Sequence, residues 1–190
     1  MRKVLHHIVF IFLVVASCSC GVNRRLPAGE KLYYGAEVNI EKKPEVKTKT
    51  SVLRKKLAGI ATPKRNKMLF GMPYKVWWWY VIGQPKKEKG FKNWLRNTLG
   101  EAPILSQNLN PALNVQNMKA LLENEGYFNS TVVGDTLSRK KKIKVRYQAR
   151  VERPYLIGSV KWRLDTSRLE KDIIHLPNNE TKLKTGEQYN

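Results

Sequence analysis

Residues 110–152 read NPALNVQNMKALLENEGYFNSTVVGDTLSRKKKIKVRYQARVE, and this stretch decides the fold class. Towards its end Ile143, Val145, Tyr147, Ala149 and Val151 alternate with Lys144, Arg146, Gln148, Arg150 and Glu152. A period of two, apolar on one side and charged on the other, is the pattern of a strand buried on one face. The stretch 127–136 supplies a preceding strand, and the polar, basic link 137–142 predicts an antiparallel hairpin. Ahead of it, Val115, Met118, Leu121 and Leu122 recur at helical spacing. Asn114 is placed to cap that helix at its start, and Gly126 to cap it in the left-handed conformation at its end. A helix followed by a hairpin makes the chain α+β.

Upstream, 31–40 has strand character, with Tyr34, Ala36, Val38 and Ile40 alternating against Gly35, Glu37 and Asn39. A charged connector, 41–50, leads to a short helix over 51–60 with Val52, Leu53, Leu57 and Ile60 on one side. The stretch 73–82 contains Trp77-Trp78-Trp79-Tyr80. Pro73 suits a first helical turn, Gly83 a C-terminal cap, and Pro85 bars continuation, so a helix is expected. A strand competes, because aromatic runs favour pleated surfaces. On the helical reading Phe70, Tyr74, Trp77, Trp78 and Val81 share a face, which serves either as core or as a membrane-interface contact. The stretch 90–99 reads as another short helix carrying Phe91, Trp94, Leu95 and Leu99, stopped by Gly100. Beyond Pro154, Val160, Trp162 and Leu164 alternate with Lys161, Arg163 and Asp165 as a further strand. A candidate helix covers 167–176, and 182–190 leads into another.

The N-terminus has a different character. Arg2 and Lys3 precede an unbroken apolar stretch, 8–16, too short to span a bilayer, which takes about 20 apolar residues. A charged start, a brief apolar run and small residues at its end describe an export signal. The chain has two cysteines, Cys18 and Cys20, both at this boundary, so a disulfide framework spread through the fold is excluded. Formal charge is +21, or +19 without residues 1–17, which favours an anionic partner: lipid head groups, nucleic acid or an acidic protein. Export argues against nucleic acid. Enzyme chemistry finds little support: beyond the leader His175 is the one histidine, near Asp165, Glu170 and Asp172, and no His or Cys pair has metal-ligand spacing. Phosphate-cradling glycine loops and nucleophile elbows are missing from the sequence. Neither a metal nor a dissociable cofactor is expected.

Two sets of residues carry resemblances. Val15-Ala16-Ser17-Cys18 resembles the lipobox of bacterial lipoproteins. That likeness implies a signal peptide over 1–17, a diacylglycerol thioether and an N-acyl (palmitate) chain on Cys18, and a lipid-anchored linker over 18–29. An ordinary secretory signal with incidental cysteines is the competing reading. Asn124-Glu125-Gly126-Tyr127-Phe128, between a helix and a hairpin, resembles the end of a POTRA domain, a β-α-α-β-β repeat. Arg153-Pro154-Tyr155-Leu156-Ile157-Gly158-Ser159-Val160 is similar to the start of a second repeat, and 183–190 to the entrance of that repeat's first long helix. Leu26-Pro27-Ala28-Gly29-Glu30-Lys31-Leu32-Tyr33 looks like the opening of the lipoprotein version, the translocation and assembly module lipoprotein of Gram-negative bacteria.

The resemblance implies a first POTRA-like domain over 30–152 with an insertion at 41–110, and an incomplete second one over 153–190. The family's membrane barrel is not among these residues, so the chain is expected to be the N-terminal portion of a longer protein. The implied function is a periplasmic arm that binds unfolded outer-membrane protein or lipoprotein clients, and assembly-machinery partners, by strand addition at 129–151 and 157–164. Lys140, Lys141, Lys142, Lys144, Arg146 and Arg150 are the candidate binding residues for an acidic client or an anionic surface; a solvated outer face is the bland alternative. Ser19, in place of an aspartate after Cys18, is compatible with delivery to the outer membrane, facing the periplasm. The competing function is a stand-alone basic envelope lipoprotein that binds anionic lipid or polymer as a structural element.

Overall fold

Two residues, Lys140 and Lys141, separate a pair of strands that pair antiparallel, and a third strand from far upstream completes the sheet. The computed structural model describes residues 22–160 and 183–189. Its elements in chain order are β1 (Leu32–Lys42), α1 (Thr50–Ile60), α2 (Tyr74–Ile82), α3 (Phe91–Leu99), a 3-10 turn (Ser106–Asn108), α4 (Pro111–Asn124), β2 (Thr131–Arg139) and β3 (Lys142–Val151). The chain is α+β, with a sheet in the order β1-β3-β2. The Leu32 N–H donates to the Lys141 carbonyl and the Lys43 N–H to that of Val151, so β1 and β3 ascend together as a parallel pair. A parallel pair needs a long crossover, and the four helices lie in the connection between these strands.

The chain divides into two compact, interleaved units, each taking part of every strand. Among the described residues, one holds the chain up to Glu37 with Ala61–Ala112 and Gly134–Tyr147; the other holds Val38–Ile60, Leu113–Val133 and the chain from Gln148 onward.

In the first unit Val22, Leu26, Leu32, Val76 and Leu105 form a buried cluster against which Tyr34, Trp77 and Tyr80 pack. Asn66, buried, holds the incoming chain in place: its amide donates to the Ala102 carbonyl (2.8 Å) and its oxygen accepts from the Ile104 N–H (2.9 Å). Ser106 donates to Glu30 (2.7 Å) and accepts from the Lys31 N–H (3.1 Å). Both side chains are thereby satisfied, as their burial requires. Gly100 closes α3 against α2: a Cβ there would stand 3.0 Å from the Trp79 Cα and 2.5 Å from the Arg96 carbonyl oxygen.

Aromatic helix α2 is confirmed, but with a different inner face. Val76 is fully buried and Trp77 and Tyr80 lean on the core, whereas Tyr74, Trp78 and Val81 are exposed. Phe70 sits in a tight turn at φ +47 with 89% exposure. The reason is compositional: YKVWWWYVI is apolar nearly all round, so its periodicity cannot choose a face.

Tyr33 lies buried in this unit near Tyr147, and burial, with a smaller contribution from Tyr147, pushes its phenol up to about 12. In the unfolded chain a tyrosine loses its proton near pH 10, so unfolding is favoured by deprotonation above that value. The contribution of Tyr33 is fully present below about pH 10 and lost as pH rises to about 12. Denaturant melts across that window should show Tyr33→Phe losing stability less steeply than the wild type; parallel curves would remove Tyr33 as the cause.

In the second unit Val38, Val46, Leu53, Leu57, Met118, Leu122, Val132, Ala149 and Val151 are buried. Helix α1 turns Leu53 and Leu57 inward as its spacing predicts, while Val52 is exposed. Helix α4 starts at Pro111, a turn earlier than expected, and Asn114 is a buried interior residue, not the cap. Proline at a helix start gives up an N–H that would have no partner there and arrives with its φ already helical. At the other end the Tyr127 N–H bonds the Leu122 carbonyl and the Gly126 N–H that of Glu123, a Schellman closure with Gly126 at φ +80. Each residue of Gly126-Tyr127-Phe128 has its own task. Gly126 takes the left-handed turn. Tyr127 is buried and its hydroxyl meets Thr48 Oγ1 at 2.9 Å. Phe128 packs edge-on against Tyr155 and tilted against Tyr189.

Candidate functional site

Strand β3 alternates as the sequence requires: Ile143, Val145, Tyr147, Ala149 and Val151 are buried, and Lys142, Lys144, Gln148 and Arg150 are exposed. The cations of the hairpin therefore project from the outer side of the sheet, but two of them are reached by acidic residues of β1. In the first unit Lys144 bonds Glu37 at 2.6 Å, and this bond holds the Glu37 carboxyl below its ordinary range. Lys142 places its ammonium 4.6 Å from the Tyr34 ring centre. Lys140 and Lys141 form the turn, with Lys140 at φ +53, and neither is in an ion pair among the described residues. Arg146 is half-buried, and its Nε is buried without a hydrogen-bond partner among the described residues. In the second unit Arg150 pairs with Glu41 at 3.4 Å. Exposed pairs of this kind contribute little to stability.

The six candidates are thus not one uniform basic strip. Five lie in the first unit and Arg150 in the second; Lys144 and Arg150 are partly neutralised, and the turn Lys140-Lys141 carries the open charge. The parity of Glu37 along β1 was legible, whereas Glu41, expected in the charged connector 41–50, belongs to β1; the register of both against β3 was not legible, because it joins residues 107 and 109 apart.

Backbone availability separates the two edges of the sheet. The start of β1 is covered: the Tyr33 N–H bonds the Ile104 carbonyl, and the Ser106 N–H bonds that of Lys31. The outer edge of β2 takes no backbone hydrogen bond from any other described segment. A two-residue hairpin sets Arg139 opposite Lys142, and alternation then turns the N–H groups of Val132, Gly134, Thr136 and Ser138 away from β3. One of these, Thr136, is satisfied by its neighbour, the Asp135 carboxylate, at 2.7 Å. Asp135 was missed from the sequence; its signal is an acid beside an outward-facing N–H, in a strand whose one cation is Arg139. Val132 is the one buried residue of β2; Val133, Gly134, Asp135 and Thr136 are exposed.

An open groove of about 440 Å³ in the second unit lies beside Asn39, Glu41, Thr131, Val133, Gln148 and Arg150. No group of three or more His, Cys, Asp or Glu able to hold a metal occurs among the described residues. Cys18, the leader 1–17, residues 161–164 of the predicted strand at 157–164, and the segment 167–176 with His175 lie outside the described residues. Within 157–160 no strand forms; Leu156 makes an isolated antiparallel bridge with Gln188. Comparison with protein-family models, curated proteins and solved structures returns no match.

Proposed function

We propose that this chain is the periplasmic POTRA arm of a lipoprotein that assembles or translocates outer-membrane proteins, and that it takes clients by strand addition along β2. The observation that carries this reading is the open outer edge of β2, a row of outward N–H groups next to a turn whose cations have no ion pair among the described residues. Such an edge is a template for an extended segment, which gains backbone hydrogen bonds without a deep pocket. In this reading β1, α1, α4, β2 and β3 are the β-α-α-β-β unit of a first domain over 30–152, and the insertion expected at 41–110 narrows to the stretch after α1 that carries α2 and α3. Residues 153–190 begin a second domain. Cys18 carries the lipid that holds the arm at the outer membrane, and the clients are unfolded outer-membrane proteins or lipoproteins.

The Asp135–Thr136 contact is a partial guard of the edge, a common way of limiting unwanted pairing. Clients then pair at Gly134 and Ser138 and aim acidic side chains at Lys140 and Lys141. The test uses an acidic, alternating peptide about ten residues long, the length of a barrel strand. Ser138→Pro removes an N–H that the hairpin does not use, so the fold should lose about 1 kcal/mol or less while peptide affinity falls about tenfold. Ser138→Ala should leave affinity unchanged. Equal affinities for Ser138→Pro and wild type would sink strand addition at this edge.

A further inference from the structure

Helix α3 is built inside out. Phe91, Trp94, Leu95 and Leu99 form an apolar stripe at helical spacing, yet no residue of the helix is buried. Phe91 is 74% exposed and Trp94 58%, and their rings stack against each other at 5.8 Å. What the helix turns towards its neighbour is a cation: the Arg96 guanidinium lies 3.6 Å from the ring centre of Trp79 on α2, and Arg96 Nε is buried. A helix of a globular core points its apolar stripe inward. This one points its polar side at α2 and its aromatic pair at the outside. The surroundings are strongly basic: residues 61–100 hold nine Lys and Arg and a single acidic residue, Glu88. Lys86, Lys87, Lys89 and Lys92, all exposed, flank the start of the helix. The helix has nine residues, and no described helix is long and apolar enough to cross a membrane.

We propose that α3 docks on an anionic bilayer surface, with Phe91 and Trp94 entering the interface and Lys86, Lys87, Lys89 and Lys92 meeting the phosphates. Short amphipathic helices bind this way, by a shallow apolar face with lysines beside it, and tryptophan favours the interfacial depth. The charge of the segment selects lipid over a protein groove: an acidic head-group layer complements every lysine around the helix. This contact uses none of the β2 edge. It stands apart from the strand-addition reading and would hold the first unit against the membrane independently of any covalent lipid.

The test takes the full chain and vesicles containing phosphatidylglycerol brominated in the upper acyl chain. The leader 1–17 contains no tryptophan, so its own insertion is silent in tryptophan fluorescence. Brominated anionic vesicles should quench the wild type, and Trp94→Phe should remove most of that quenching. The triple change Lys86→Glu, Lys87→Glu, Lys89→Glu should weaken quenching by at least about a hundredfold in vesicle concentration, as should phosphatidylcholine vesicles. Ser138→Pro, which disables the β2 edge, should leave it unchanged. Quenching that survives Trp94→Phe, or that is equal in anionic and zwitterionic vesicles, overturns the proposal. So does a Trp94 that lipid never quenches, including one shielded only when a protein partner is added.

Discussion

Gly126→Val is expected to destabilise the chain by about 3 kcal/mol, a loss of roughly two orders of magnitude in the folding constant. Three features of the site converge on this one residue. Gly126 stands at φ +80, where an L side chain costs about 1–2 kcal/mol and a β-branched one more. An added Cβ would fall on the Tyr189 carbonyl oxygen, a backbone atom that cannot rotate away. The Gly126 carbonyl also accepts from the Tyr155 N–H, and the neighbouring Glu125 carbonyl accepts from the Gln188 amide, so displacement undoes the docking of both segments. Gly126→Asn separates these contributions, since asparagine tolerates the left-handed region but still brings a Cβ. Urea melts should rank wild type above Gly126→Asn and Gly126→Asn above Gly126→Val, with the exposed segment 183–189 becoming protease-sensitive in both variants. Equal midpoints for all three would show that the cap and the docking contacts carry no stability.

Gly126 was readable from the sequence because a glycine after the last apolar position of a helix has few other uses. Strand β3 was readable for a similar reason: its period of two runs unbroken from Lys142 to Val151, and one buried face fixes it. The inner face of α2 was not readable. Nine residues that include Val76, Trp77, Trp78, Trp79, Tyr80, Val81 and Ile82 offer no contrast between faces, and the choice falls to tertiary packing that places Val76 in the core. The start of α4 was misread because Asn114 is a good cap by type, whereas Pro111 opens the helix one turn sooner and Asn114 is then buried inside it.

The candidate site divides along the same physical line. The cations of the hairpin were legible because they alternate with buried residues. Which of them carry open charge was not, because Glu37 and Glu41 arrive from β1 in a register that local pattern does not set. The outward N–H groups of β2 follow from the length of the turn, and the tight turn is two residues long where a six-residue link was expected. Helix α3 is the instructive case. Its apolar stripe was identified correctly, but a stripe says only that something apolar lies opposite. The position of Arg96 over Trp79 turns the stripe away from α2.

Cys18→Ser is expected to have the largest effect on where the protein resides. On the proposed reading Cys18 carries a diacylglycerol and an N-acyl chain, and buried acyl carbons contribute about 0.8 kcal/mol each. One such chain alone gives a marginal anchor with a binding constant of about 10⁴ M⁻¹, so losing all of them costs at least about four orders of magnitude in partitioning. Expressed in a Gram-negative host, the full chain should be recovered from the outer-membrane fraction with an N-terminal mass that includes both lipid groups. Cys18→Ser should lose that mass and leave the fraction, while Cys20→Ser should behave as wild type. An unlipidated wild-type N-terminus, or lipid found on Cys20, would overturn the anchor assignment. Two contacts with the membrane then differ in kind. Acyl burial is insensitive to salt, whereas lysines facing phosphates are screened over about 10 Å at 0.1 M salt and within about 3 Å at 1 M. Cys18→Ser that still binds anionic vesicles at low salt, and releases at high salt, would locate the remaining attachment in the lysines around α3. With the anchor intact, the same lysines would fix which side of the first unit faces the bilayer. An anchor sets distance from a membrane and leaves rotation free, and a second, weaker contact is what sets orientation.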